Sequence, residues 1–196
     1  MIMNDFEKIR ELLLHDRSVR RFDNSRPVSR ATLTELVGLT CLCASGRNLQ
    51  PLRYAIVSDR EECAKLFPHL AWAGYYKDWA GPEENERPVA YLIQCLDTDL
   101  CKECLCDDGL QLQAITLGAT ALGLAGCIIK AFNRQKVAEA ADIPPRYEPR
   151  YVLALGYPVE KVKLVDISAT GGDYKYYRDA EATQCVPKRQ VSEIII

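Results

Sequence analysis

The stretch DDGLQLQAITLGATALGLAGCII, Asp107 to Ile129, decides the fold. From Gly109 to Ile129 it has no charged residue, yet it contains Gln111, Gln113, Thr116, Thr120 and four glycines. A helix inside a bilayer would rarely carry that polar load. The stretch therefore reads as a buried helix, opening at Asp107 or Asp108 and running to about Leu122. A short strand over Gly126 to Ile129 follows it. A helix that is apolar all round has to be covered by other elements. The flanks supply them. Val89 to Leu96 and Tyr151 to Leu155 are continuous apolar runs, as expected of strands buried on both faces.

Working outward, Asn4 with Glu7 forms a capping-box start, and Phe6, Ile9, Leu12 and Leu13 give an apolar face at helical spacing to about His15. Ser29 is a good N-cap for a helix to about Cys43. Arg53 to Ser58 reads as a strand, Arg60 to Phe67 as a short helix, and Gln135 to Ala141 as a helix capped by Asn133. Arg17 to Phe22 is too polar and too short to be a core element. Ser45 to Pro51 is a loop by composition. Ala71 to Trp79 reads as a short helix, with Trp72, Tyr75, Tyr76 and Trp79 at spacings of three and four. In the tail, Lys161 to Ile167 and Tyr174 to Arg178 alternate like exposed strands about a Gly171-Gly172 turn. Val186 to Ile196 runs basic and then apolar, with no evident partner in the chain. Strands are central and helices flank them, so the class is α/β or α+β.

The formal net charge of −2 offers no basic field for nucleic acid. Met1 to Arg10 has no apolar core of a signal peptide, and nine cysteines are an odd number for a secreted disulfide framework. The expectation is a cytoplasmic protein with no membrane partner. There is no GxGxxG after a strand, no Walker loop, no HExxH and no GxSxG. His15 and His69 are the two histidines and stand alone. Cys101, Cys104 and Cys106 invite a metal reading, but a fourth ligand and a second pair are missing, so we expect reduced thiols and no metal.

Three polar clusters remain: Arg17, Ser18 and Arg20; Ser45, Arg47, Asn48 and Gln50; and Lys188 with Arg189. Two readings fit them. The arginines could complement a helix C-terminus and solvate a surface. Alternatively, the basic clusters bind a phosphate and the amides a heterocycle's edge, as a phosphorylated heteroaromatic cofactor requires.

A resemblance bears on that choice. Arg17-Ser18-Val19-Arg20-Arg21-Phe22 resembles the R-S-x-R-x-F signature of the nitroreductase family. Ala44 to Pro51 is similar to its P-S-x-x-N-x-Q-P-W loop, with Ala44 for the Pro and Leu52 for the Trp. Asp108-Gly109-Leu110 through Gly123 to Cys127 matches its long helix and G-L-G-x-C turn. Ile143-Pro144-Pro145 through Gly156-Tyr157-Pro158 matches its I-P…L-G-Y-P ending, and Val186 to Arg189 its C-terminal K-R segment.

The resemblance covers nearly the whole chain. It implies an α+β, three-layer α/β/α sandwich with a mixed, mostly antiparallel sheet in an intertwined homodimer. Residues 1–196 would form a single domain, with 159–196 as a C-terminal extension reaching the partner. It implies FMN at the subunit interface, held by Arg17, Ser18 and Arg20, with Lys188 and Arg189 at the phosphate. Ser45, Gly46, Asn48 and Gln50 would come from the other subunit, and Leu124, Ala125 and Gly126 would line the flavin's N5 edge. No side chain is expected to be catalytic, because the flavin carries the chemistry. NADH or NADPH would reduce it, and an electron-poor small molecule, nitroaromatic or quinone-like, would reoxidise it in a ping-pong cycle. Trp72, Tyr75 and Tyr76 are the candidate acceptor-binding residues. A flavin reservoir or sensor is the alternative, and flavin cleavage or dehalogenation are further options on the same fold. Two departures bear on the site: Asp16 replaces a frequent Arg, and Lys130 a frequent Gly.

Overall fold

The computed structural model describes residues 4–196. Four antiparallel strands form the main sheet in the order β1-β2-β4-β3: β1 (Leu52–Val57), β2 (Ala90–Asp97), β3 (Ala125–Ile129) and β4 (Tyr147–Gly156). Strand β2 is buried from end to end, and its side chains alternate between two cores. Tyr91, Ile93 and Cys95 face Cys63, Leu66 and Val137, so helices α3 (Arg60–Leu66) and α5 (Arg134–Ala140) cover that side. Ala90 and Leu92 face Leu33, Leu36, Leu112, Ile115 and Ala119, from α2 (Arg30–Gly38) and α4 (Asp107–Ala121). Strand β4 repeats the division, with Val152 and Ala154 on the first side and Leu153 and Leu155 on the second. Helices on both faces explain why these runs are apolar at every position and do not alternate. The result is the expected three-layer α/β/α arrangement.

Helix α1 (Asp5–His15) begins with the capping box read from Asn4 and Glu7. The helix capped by Ser29 is interrupted at Gly38 and continues as a 3-10 turn, Leu39–Leu42. Helix α4 passes close to this junction. A Cβ on Gly118 would collide with Leu39 and Leu36, so the missing side chain sets the helix spacing.

Three expectations are corrected. The strap Arg17–Phe22 does enter the core: Val19 and Phe22 are buried with Ala125. Ser18 bridges Gly126, Phe22 bridges Pro158, and Val19 N–H donates to the Gly126 carbonyl at 3.0 Å. Its charged residues turn outward while its backbone docks at the β3 edge, so composition concealed its place. Ala71–Trp79 is not a helix but a series of turns, with Tyr76 N–H on the Ala73 carbonyl and Trp79 N–H on the Tyr76 carbonyl. Ala73 has a φ of 40°, outside the helical region.

The tail also differs. Strands β5 (Val162–Asp166), β6 (Tyr177–Arg178) and β7 (Gln184–Lys188) form a second sheet in the order β5-β7-β6. The expected neighbours β5 and β6 are separated by β7, which runs parallel to β5. The first part of the tail thus finds its partner in the same chain. Gly171 and Gly172, at φ of 65° and 89°, make the expected turn.

No helix among the described residues is long and apolar enough to cross a membrane. All nine cysteines are unpaired, and the described residues contain no cluster of three metal-ligating side chains. Cys104 is buried with Leu52 and Leu96.

The strap is clamped by an ion pair. The Arg21 guanidinium donates twice to the Glu86 carboxylate, at 2.5 and 2.6 Å, while Phe22 N–H donates to the Glu86 carbonyl. These hydrogen bonds hold the Glu86 carboxyl below its ordinary range. A depressed carboxyl stabilises the fold above its unfolded pKa, near 4.3, and the gain disappears as pH falls through the folded value. Glu86→Gln should therefore be less stable than the parent at pH 7, with the gap closing as pH falls below about 4. Urea unfolding across that range checks this, and a gap independent of pH would contradict it.

Candidate functional site

The strap and the α4–β3 turn meet through the Ser18–Gly126 bridge, so Arg17, Ser18 and Arg20 lie beside Leu124, Ala125 and Gly126. Gly126 has little room for a side chain: a Cβ would stand 2.9 Å from Leu153 Cδ1 and 3.3 Å from the Ala154 carbonyl. Two of the strap's three arginines, Arg17 and Arg20, have no acidic side-chain partner among the described residues. Arg17 Nη2 donates to the Leu13 carbonyl at 2.6 Å, and its buried Nε has no acceptor. Arg20 Nη1 donates only to the Ser18 carbonyl, at 3.3 Å, and its guanidinium stands 4.8 Å from the Tyr176 ring centre. Asp16 does not oppose them as a free charge. Its carboxylate accepts from Thr116 Oγ1 at 2.7 Å and from Gln113 Nε2, which pins the end of α1 to α4.

The aromatic segment lies nearby, but its members separate. Tyr75 and Tyr76 pack on Tyr176 at 4.8 and 5.3 Å between ring centres, hence close to Arg20. Tyr76 hydroxyl donates to Gln184 Oε1 at 2.8 Å, tying it to β7. Burial raises the Tyr76 pKa, so the hydroxyl stays protonated. Trp72 is turned into the core, stacked 5.7 Å from Phe67. Lys188 closes β7, about 13 Å along the strand from Gln184. It is exposed and makes no ion pair among the described residues, whereas Arg189 reaches Glu193 at 3.5 Å. Lys130 is exposed, 5.4 Å from the Tyr151 ring centre.

The amide-bearing loop is elsewhere. Buried Asp107, the first residue of α4, accepts from Ser45 Oγ at 2.5 Å and from Gly46 N–H at 2.9 Å. Ser45 Oγ in turn accepts from Gln50 N–H, and Gln50 Nε2 donates to Asn48 Oδ1 at 3.2 Å. Arg47, Asn48 and Gln50 all have positive φ, near 50°. Such backbone costs non-glycine residues of order 1 kcal/mol each and persists only where the surroundings enforce it. The strap meets α4 elsewhere: Asp16 attaches at Gln113 and Thr116, about 9–14 Å along the helix from Asp107, and Ser18 docks at Gly126 past its far end. No hydrogen bond or ion pair among the described residues joins Ser45–Gln50 to Arg17–Arg20 within one chain.

Three participants escaped the sequence reading. Buried Glu160 accepts from Arg20 N–H at 2.9 Å and from Arg178 Nη2 at 3.0 Å, fixing the strap beside the second sheet. A lone acid in a tail carries no sequence signal. Asp107 was visible only as a helix start. Tyr176 belongs to the aromatic run Tyr174-Lys175-Tyr176-Tyr177, which could have matched it to Tyr75 and Tyr76.

Comparison with known proteins bears on these groups. The family model described as Nitroreductase family matches residues 15–92 and 105–157. A Bacillus subtilis protein provisionally named NAD(P)H nitroreductase YodC is 25% identical over 173 residues, covering 73% of this chain and 86% of its own. Among solved structures, a nitroreductase family protein of Streptococcus pneumoniae superposes with a TM-score of 0.69 at 20% identity, covering 96% of this chain and 98% of that one. An FMN-dependent nitroreductase of Clostridium difficile gives 0.65 at 20% identity, covering 86% and 97%. The NADPH:FMN oxidoreductase of Vibrio harveyi, solved with NAD+, gives 0.59 at 22% identity, covering 77% and 69%.

The Asp107 tether makes a local prediction. Hydrogen bonds to a charged group contribute about 1.5–3 kcal/mol. Asp107→Ala should therefore speed amide exchange at Gly46 by roughly ten- to a hundredfold. Unchanged exchange there would show that the loop holds itself.

Proposed function

This chain belongs to the nitroreductase family, and on that premise we propose that it is an FMN-dependent NAD(P)H oxidoreductase acting as a homodimer. The observation that carries the proposal is the set of cations without acidic side-chain partners among the described residues, Arg17 and Arg20 on the strap and Lys188 at the end of β7. The buried Arg17 Nε without an acceptor is the kind of donor that a bound anion satisfies. The residues present thus fit a flavin phosphate and the electron-rich end of its ring.

Arg17, Ser18 and Arg20 would hold the ribityl chain, phosphate and pyrimidine, with Lys188 and Arg189 adding charge at the phosphate. The backbone at Leu124, Ala125 and Gly126 would line the redox-active edge. When bound, FMN supplies two-electron transfer from NADH or NADPH to an electron-poor acceptor. The role of the protein is electrostatic and steric. Arg20 places positive charge where electrons accumulate, and Tyr75 and Tyr76 offer flat apolar surface beside it. The reading predicts a ping-pong order, with donor and nitroaromatic or quinone-like acceptor using one face in turn.

Two features support dimerisation. Ser45, Gly46, Asn48 and Gln50 are tethered at the first residue of α4 and, among the described residues, make no hydrogen bond or ion pair with the strap of their own chain, so they would serve the site of a second copy. Helix α1 buries no residue in its own chain and exposes Phe6, Ile9, Leu13 and Leu14. An isolated helix of its 11 residues would be marginal in water, and a partner surface would stabilise it. We take 1–196 as one domain, with 159–196, and chiefly its exposed end Ile194-Ile195-Ile196, reaching that partner.

The purified protein should be yellow, release FMN on denaturation and bleach with NADH or NADPH. Lys188→Ala and Arg20→Ala should each weaken FMN binding roughly ten- to a hundredfold, the cost of a lost charged hydrogen bond. Flavin fluorescence titration measures this. A colourless protein that rejects FMN would overturn the proposal, and bound flavin that nicotinamides never bleach would assign a reservoir role instead.

A further inference from the structure

A pocket of about 290 Å³ opens on the α3 side of the main sheet, away from every residue assigned above to the flavin. Its walls come from the turn after the strap, from α3 and from the segment that enters β2. Pro27, Ala64, Phe67 and Val89 make them apolar. Its polar groups are unusual. Tyr91 lines it as the largest fully buried side chain of the protein, and its hydroxyl has no hydrogen-bond partner. Arg87 lines it as well, with a buried Nε that also lacks a partner. Each such orphan is costly unless something satisfies it.

Charge narrows the occupant. Arg60 and Arg87 both line the pocket, and neither pairs with a carboxylate among the described residues, whereas seven other arginines do. The Arg87 guanidinium lies 4.1 Å from the Phe67 ring centre, which fixes its plane. Glu84 lines the pocket at its mouth, and the polar vestibule beyond includes Glu83 as well. Those acids repel polyanions such as phosphate esters and leave a single inward negative charge as the best match to the arginines. Burial pushes the neighbouring Cys63 thiol up to about 12, so no thiolate competes with that anion.

We propose that this pocket is a second small-molecule site, which takes a monocarboxylate with a compact, ring-sized apolar body. Its carboxylate faces Arg60 and Arg87, one of its oxygens accepts from the Tyr91 hydroxyl, and its ring lies among Ala64, Phe67 and Val89. The site is built against the strap's clamp, since Glu84, Arg87 and Pro88 line one wall and flank Glu86, the partner of Arg21. The proposal does not depend on the flavin reading.

The test uses the full-length protein as purified. Benzoate, phenylacetate and 3-phenylpropanoate are titrated by calorimetry and by ligand-observed NMR, beside their primary amides. We expect at least one acid to bind, its amide at least tenfold more weakly. Arg60→Gln, at an exposed position, should weaken the acid about tenfold, and Ala64→Phe, which fills the pocket from the exposed face of α3, should abolish binding. Both variants should keep the parent's melting temperature within a few degrees and its flavin content. Absence of binding by all three acids, equal binding of acid and amide, or unchanged affinity in either variant would overturn the proposal.

Discussion

Helix α4 acts as a rigid spacer, and the rest of the structure depends on it. Its length follows from a run of residues without charge, which is stable only when covered by α2 on one side and the main sheet on the other. At its first residue, Asp107 grips the Ser45–Gly46 loop. In its middle, Gln113 and Thr116 hold Asp16 at the end of α1. Beyond its last residue, the turn into β3 receives the strap at Gly126. Two sets of cofactor-binding candidates are thereby held at separate points along one element. That separation turns a monomer with two halves into an argument for a dimer with complete sites.

The ionic groups divide by task. Asp97 is buried and holds Arg146 at 2.7 Å and Arg53 at 3.5 Å, Glu86 holds Arg21, and Glu160 holds Arg178. Leaving any of these buried acids alone would be costly, so their arginines are committed to the fold. Arg17, Arg20 and Lys188 have no such commitment and remain available for an outside anion. Exposed ion pairs contribute little to stability, so leaving exposed Lys188 unpaired costs the fold little, whereas the buried Nε of Arg17 is a donor that an outside anion would satisfy. The same contrast between paired and unpaired arginines marks the pocket beneath Arg87.

Elements fixed by local physics were legible in the sequence. The Asn4–Glu7 box, the Ser29 and Asn133 caps, the buried β2 run and the uncharged α4 depend on neighbours within a few residues, or on burial from both sides. Elements fixed by distant partners were not. The strap is a core strand segment in polar dress, because Gly156 leaves room for Phe22 and the strap backbone pairs with Gly126. The 71–79 segment has helical spacing but sends Trp72 into one core and Tyr76 toward β7, which a helix cannot do. The order β5-β7-β6 places the last strand between two earlier ones, and turn residues carry no information about that. The basic cluster at Arg17–Arg20 was legible as a motif, but its buttress Glu160 was not.

The central claim is that each flavin site takes its basic half from one chain and its amide loop from the other. Subunit mixing tests it directly. One variant carries Arg20→Ala with Lys188→Ala, the other Ser45→Ala with Asn48→Ala, and each alone should bind FMN poorly. After joint refolding, a mixed dimer has one site with both halves intact, so tight FMN binding and NAD(P)H bleaching should return in the mixed fraction. If the mixed dimer binds no better than either parent variant, the two halves do not meet across the subunits and the account fails.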